Sequence, residues 1–126
     1  MTSNNNHYES LIKLLLPPEI FEYFETTDLH STGSEVHVSL DEQNVLPEGY
    51  DKDKLTSKGF HKPATIQDFP LRDKAMYLHV RRRRWQDETT GKAVSRDWES
   101  VAEGTRLTKE FATFLKEISR HIRHKQ

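Results

Sequence analysis

The chain has 126 residues, 33% hydrophobic and 31% charged, which suits one domain with a modest core and excludes a disordered polar polymer. It contains no cysteine, so disulfide staples, thiolate zinc ribbons and cysteine nucleophiles are excluded. The net charge of −1 conceals a split: residues 1–60 carry −7 and residues 61–126 carry +6, which points to a polyanionic partner for the second half unless the halves neutralise each other in one globule.

Residues 1–8 are rich in Ser and Asn and lack the basic side chains of a signal sequence. The apolar run at 11–16 is interrupted by Lys13 and closed by Pro17 and Pro18, so no membrane span is expected and a cytoplasmic location is. Tyr8, Leu11, Ile12, Leu15 and Leu16 follow helical spacing, with Ser3 or a nearby Asn as cap and the proline pair as terminator. Pro18 then opens a second predicted helix over 19–25, with Ile20, Phe21, Tyr23 and Phe24 as its apolar content. Residues 28–34 read as a turn. From Glu35 the period becomes two: Val36, Val38 and Leu40 alternate with His37, Ser39 and Asp41, the pattern of a half-buried strand over 35–41.

Residues 41–63 hold Pro47, Gly49, Gly59 and Pro63 and are expected to form a long excursion with one helical turn near 51–57. A short strand follows at 64–69. Residues 75–85 alternate again, with Met76, Leu78 and Val80 on one face and Tyr77 and His79 on the other. A Gly-containing turn leads to a strand over 93–99 that places Val94, Arg96 and Trp98 on one face, completing a predicted β-hairpin. After Gly104, Leu107, Phe111, Phe114, Leu115, Ile118 and Ile122 mark a long amphipathic helix to about residue 123, capped by Thr108. The expected fold is therefore α+β: a small antiparallel sheet with a projecting basic β-hairpin, packed against the C-terminal helix. A helical segment at 1–27 should precede the ribbon-like domain at 28–126.

Arg81, Arg82, Arg83 and Arg84, followed by Trp85, are the sharpest local signal. On a strand they alternate between faces, so the core row has to stop at Val80 and the strand tip has to project. With Lys92 and Arg96 from the partner strand, such a ribbon suits phosphate contact in a DNA groove. The alternative is a solvated strand end whose arginines pair with Asp87, Glu88, Asp97 and Glu99. Trp85 and Trp98 are expected to pack across the hairpin and under a helix rather than stack on bases. His121 and His124, with Glu117, make a weak helical metal pattern better read as exposed titratable groups, and the other histidines are scattered. Nucleophile elbows, phosphate-cradling Gly-rich loops and zinc-protease helices are missing, so no catalytic residue, metal or cofactor is expected.

Residues 65–115 resemble the head of a bacterial insertion-sequence transposase family, in which a zinc ribbon precedes a helix-turn-helix and a DDE-type catalytic domain. The similar elements are Asp68-Phe69-Pro70, a hydrophobic strand running into Arg83-Arg84 and an aromatic, a hairpin return, and Thr105-Arg106-Leu107-Thr108-Lys109 leading into a helix. The segment LLPPEIFEYF at 15–24 is similar to the N-terminal-region proteins of that group, encoded ahead of the catalytic part. The family's two Cys pairs would fall around 44–59 and 86–92, where this chain has none, so zinc binding does not carry over and Tyr50, Leu55 and Phe60 are expected to hold those loops by packing. The resemblance implies recognition of double-stranded DNA at element ends, with phosphate contacts from Arg81, Arg82, Arg83, Arg84, Lys92 and Arg96. Further contacts would come from Arg106, Lys109, Arg120 and Arg123. The alternative it allows is a module that docks on a separate transposase catalytic chain without touching DNA.

Overall fold

The computed structural model describes residues 2–104 and 108–124, with side chains between 9 and 122. Along the chain come α1 (Thr2–Leu15), one 3-10 turn (Pro18–Glu22), β1 (Phe24–Ser31), β2 (Glu35–Glu42), β3 (Leu55–Phe60), β4 (Ala64–Leu71) and β5 (Lys74–Arg81). They are followed by β6 (Arg83–Asp87), β7 (Ala93–Val94), α2 (Trp98–Gly104) and α3 (Lys109–His124). Two sheets result, one in the order β1-β2-β5-β4 and one in the order β3-β6-β7.

The period-two segments set the frame. Val36, Val38 and Leu40 of β2 lie beside Met76, Leu78 and Val80 of β5 in parallel register. Antiparallel β1 and β4 flank that central pair. The apolar rows pack against the helices, so Ile12, Leu16, Ile20, Trp98, Phe111, Phe114, Leu115 and Ile118 join them in one core. The α+β class, the long C-terminal helix and the short N-terminal helices agree with the sequence. Thr108 caps α3 as expected, its Oγ1 accepting the Phe111 N–H at 3.2 Å.

Several finer expectations need correction. The sheet is mixed rather than antiparallel, because β2 reaches its parallel neighbour β5 only after the chain has built β3 in the second sheet and β4 at the far edge. Of the helix expected over 19–25 only the 3-10 turn forms, after which Phe24 enters β1. The turn expected over 28–34 is instead largely the end of that strand, since pairing with β2 decides what propensity leaves open. The helical turn expected over 51–57 gives way to β3 from Leu55.

The strand expected over 75–85 is interrupted at Arg82, where the chain leaves the first sheet for the second. The strand expected over 93–99 shrinks to two residues, because Asp97 Oδ1 accepts the N–H groups of Glu99 and Ser100 and starts α2 there. The hairpin is thus the short β6–β7 ribbon and not a projecting finger. The boundary expected between residues 27 and 28 falls inside β1, and Ile12, Leu16 and Ile20 belong to the common core. No helix among the described residues is long and apolar enough to cross a membrane.

Candidate functional site

The parallel β2–β5 register brings the C-terminal acids of β2, Asp41 and Glu42, against the arginine run. Arg81 Nε donates to Asp41 Oδ1 at 2.7 Å, and its Nη2 donates to the other carboxylate oxygen. The Arg83 backbone N–H donates to Glu42 Oε1 at 2.9 Å, and its guanidinium reaches the Glu42 carbonyl at 3.0 Å and Ser57 Oγ at 2.6 Å. Arg96 Nε donates to Glu42 Oε2 at 2.7 Å, and a second nitrogen meets the Val45 carbonyl. The Arg96 guanidinium also lies near the rings of Tyr23, Trp85 and Trp98. Phe60 carries the guanidinium groups of Arg81 and Arg83 over its ring, at 4.1 and 4.7 Å from the centroid.

Arg82 is only 5% exposed, and its Nε and Nη2 have no hydrogen-bond partner among the described residues. Burial lowers its pKa and the charge of nearby Glu42 acts against that shift. Glu42 is fully buried, and burial raises its pKa against the opposing pull of Arg96 and Arg83.

The expected phosphate ligands therefore separate. Arg82 and Arg96 are buried and are corrected as contact residues, because a phosphate cannot reach guanidinium groups enclosed by the fold. Arg81 and Arg83 are partly accessible but engaged with Asp41, Ser57 and the Glu42 carbonyl. Their partners are not the nearby acids Asp87, Glu88, Asp97 and Glu99; Asp41 and Glu42 sit 40 and 41 residues away and Ser57 sits 26 away, separations that sequence spacing does not reveal. Arg84, Lys92 and Lys109 are exposed. Arg120 pairs with Glu117 at 3.0 Å. Arg106 and Leu107 lie outside the described residues, as do the side chains of Tyr8, Arg123 and His124.

A smaller basic surface survives on the second sheet. Pairing of β3 with β6 shifts register between Ser57 and Phe60, where Gly59 takes φ +86° and the two residues 58 and 59 oppose Arg84. Exposed Lys58 and exposed Arg84 both fall within this irregular stretch, and neither has a carboxylate partner among the described residues. Trp85 points the other way, fully buried, and its Nε1 donates to Asn44 Oδ1 at 2.9 Å. Trp98 stacks on Phe24 under the helices, in line with its expected packing role. Leu55 is buried and Phe60 half-buried, so both help hold the cysteine-free loops, whereas Tyr50 stays exposed.

Three histidines that are scattered in sequence meet on the solvent side of the first sheet. His37 Nε2 lies 2.9 Å from Glu35 Oε1, its Nδ1 lies 2.8 Å from His79 Nε2, and His79 Nδ1 lies 3.1 Å from Thr65 Oγ1. A carboxylate only accepts, so the consistent neutral arrangement runs from the Thr65 hydroxyl to His79, from His79 to His37, and from His37 to Glu35. His30 stacks on His37 at 4.8 Å. Burial, and then His37 and His30, lower the His79 pKa. Alternation alone could have placed His37 and His79 on the outward faces of their strands; the parallel register that makes them neighbours, and the strand that carries His30, could not be read. Among the described residues no group of three His, Asp or Glu side chains is placed to hold a metal ion.

These features define an α+β protein with a buried arginine–carboxylate cluster joining its two sheets. Compared with known protein families, curated proteins and solved structures, the chain has no match in any of the three.

Proposed function

We propose that the chain is a non-enzymatic, cytoplasmic DNA-binding N-terminal or accessory component of a bacterial transposition system. In this proposal phosphate contact is made by the outer face of the second sheet, to which only Arg84 of the arginine run contributes. The resemblance of residues 65–115 and 15–24 to a transposase head supports the context. The single observation that supports the contact surface is the presence of two exposed cations, Lys58 and Arg84, in the bulged stretch of β3 and β6, with no carboxylate paired to either among the described residues. Exposed cations without a carboxylate partner leave their donors available to a bound phosphate. Lys92, at the β6–β7 turn, adds a third exposed cation. The arginine cluster has a different task here, which is to hold the two sheets in fixed relation behind that face.

Binding to duplex DNA should weaken with salt along a log–log slope near about −2 to −3, matching roughly two or three phosphate contacts. Lys58→Ala combined with Arg84→Ala should lower affinity on every sequence and shallow that slope by about 2, with a thermal transition no lower than that of the wild type. Unaltered affinity in the double variant, measured by fluorescence anisotropy over a salt series, removes this face as the contact surface.

A further inference from the structure

At the end of β5 remote from the second sheet, the molecule presents an apolar groove. Ile12 of α1 and Leu16 just after it turn inward to the core, but Leu11, Leu14 and Leu15 of the helix face out. Leu14 is 81% exposed, and Phe69, across the groove on β4, is 70% exposed. The space between α1 and the edge strand β1 amounts to about 940 Å³. A second space of about 320 Å³ continues it between α1 and Phe69. Both are floored by Leu71 and Met76. A helix that carries apolar side chains on two faces, with one face unused, is incompletely buried.

The charge around this groove has one sign. Glu9 and Asp28 line the larger part, Asp68 and Glu110 line the smaller, and among the described residues no lysine or arginine lines either. Asp68 is half-buried beside Phe69, has no cationic partner among the described residues, and has its pKa raised by burial. The chain's own α3 cannot fill such a groove in a second copy, because its apolar residues Phe111, Phe114, Leu115 and Ile118 are already buried.

We propose that this groove docks a basic amphipathic helix of a partner protein. Leucine-like side chains at i, i+3 or i+4, and i+7 of that helix would lie against Leu11, Leu14, Leu15 and Phe69, and flanking Lys or Arg would meet Asp68, Glu110, Glu9 and Asp28. The surface lies away from Lys58 and Arg84, so it requires nothing of the nucleic-acid contact proposed above.

The test uses the full chain and two synthetic amphipathic helices of about 18 residues, with the same leucine stripe and flanked by lysines in one and glutamates in the other. The lysine peptide should bind saturably and the glutamate peptide should not. Leu14→Glu should weaken the lysine peptide about tenfold or more, although an added carboxylate would tighten mere charge attraction. Leu14 is so exposed that this substitution leaves the fold intact, which an unchanged melting transition checks. The Lys58→Ala/Arg84→Ala double variant should bind the peptide as the wild type does. The proposal is overturned if neither peptide binds, if both bind alike, or if Leu14→Glu changes nothing. It is equally overturned if sedimentation shows a concentration-dependent dimer that Leu14→Glu abolishes, since the occupant is then a second copy.

Discussion

Glu42 illustrates what a single residue does in this molecule. Its carboxylate is removed from water and held by the Arg83 N–H and Arg96 Nε, so the pair is neutral only while both partners are present. Breaking a buried pair costs more than the pair itself contributes, because the remaining charge is left without solvent. Arg96→Met should therefore lose about 3–5 kcal/mol at neutral pH in urea unfolding. The pH dependence of that loss has a definite sign. Burial places the folded-state pKa of Glu42 above its ordinary value of 4.5, so the folded state binds more proton, and its contribution is largest in acid and declines as pH rises through the folded pKa. Removing Arg96 raises that pKa further, and the variant should recover stability as pH is lowered. His79 acts in the opposite sense: its pKa lies below 6.5, so its contribution is complete above that pH and is lost as pH falls. His79→Gln should flatten the acid side of the stability profile below about pH 6.5, and an unchanged profile would show that the histidine row is energetically idle.

At the level of elements, local signals were legible wherever a segment carries its own start, stop and period. α3 has all three: the Thr108 cap, the apolar positions from Phe111 to Ile122, and a basic C-terminal end. Thr108→Ala should cost about 1 kcal/mol, read as a lower midpoint in thermal unfolding with α3 retained. α2 shows how one side chain overrides alternation. Val94, Arg96 and Trp98 have strand spacing, yet the Asp97 carboxylate satisfies the first free N–H groups of a helix and converts the segment after two strand residues. β1 was illegible for the converse reason. FETTDLHS has no clean period, and it is a strand only because β2 offers it an edge, with a bulge between Thr26 and Asp28 absorbing the mismatch.

For the molecule as a whole, the N-terminal third is part of the core and not an appendage. Ile12, Leu16, Ile20 and Phe24 seal the helical side of the first sheet, so a chain starting at residue 28 would lose four buried apolar side chains and half of β1. Such a fragment should show no cooperative unfolding transition by circular dichroism, whereas two independent domains would leave it folded. The charge split between halves has a matching structural outcome. Asp41 and Glu42 from the acidic half neutralise Arg81 and Arg96 from the basic half inside one body.

Composition, the period-two and helical patterns and the capping residues are properties of adjacent residues, and they determined the α+β class, α3, and the strands β2, β4 and β5. The sequence by itself also established that Arg81 to Arg84 could not share one surface. Tertiary structure alone decided which acids those arginines meet, that His30, His37 and His79 form one row, and that α1 keeps three leucines in solvent. Each of these depends on the parallel register of β2 with β5 or on the seat of α1 against β1. The β2–β5 contacts join residues forty or more positions apart, and no local spacing encodes either arrangement.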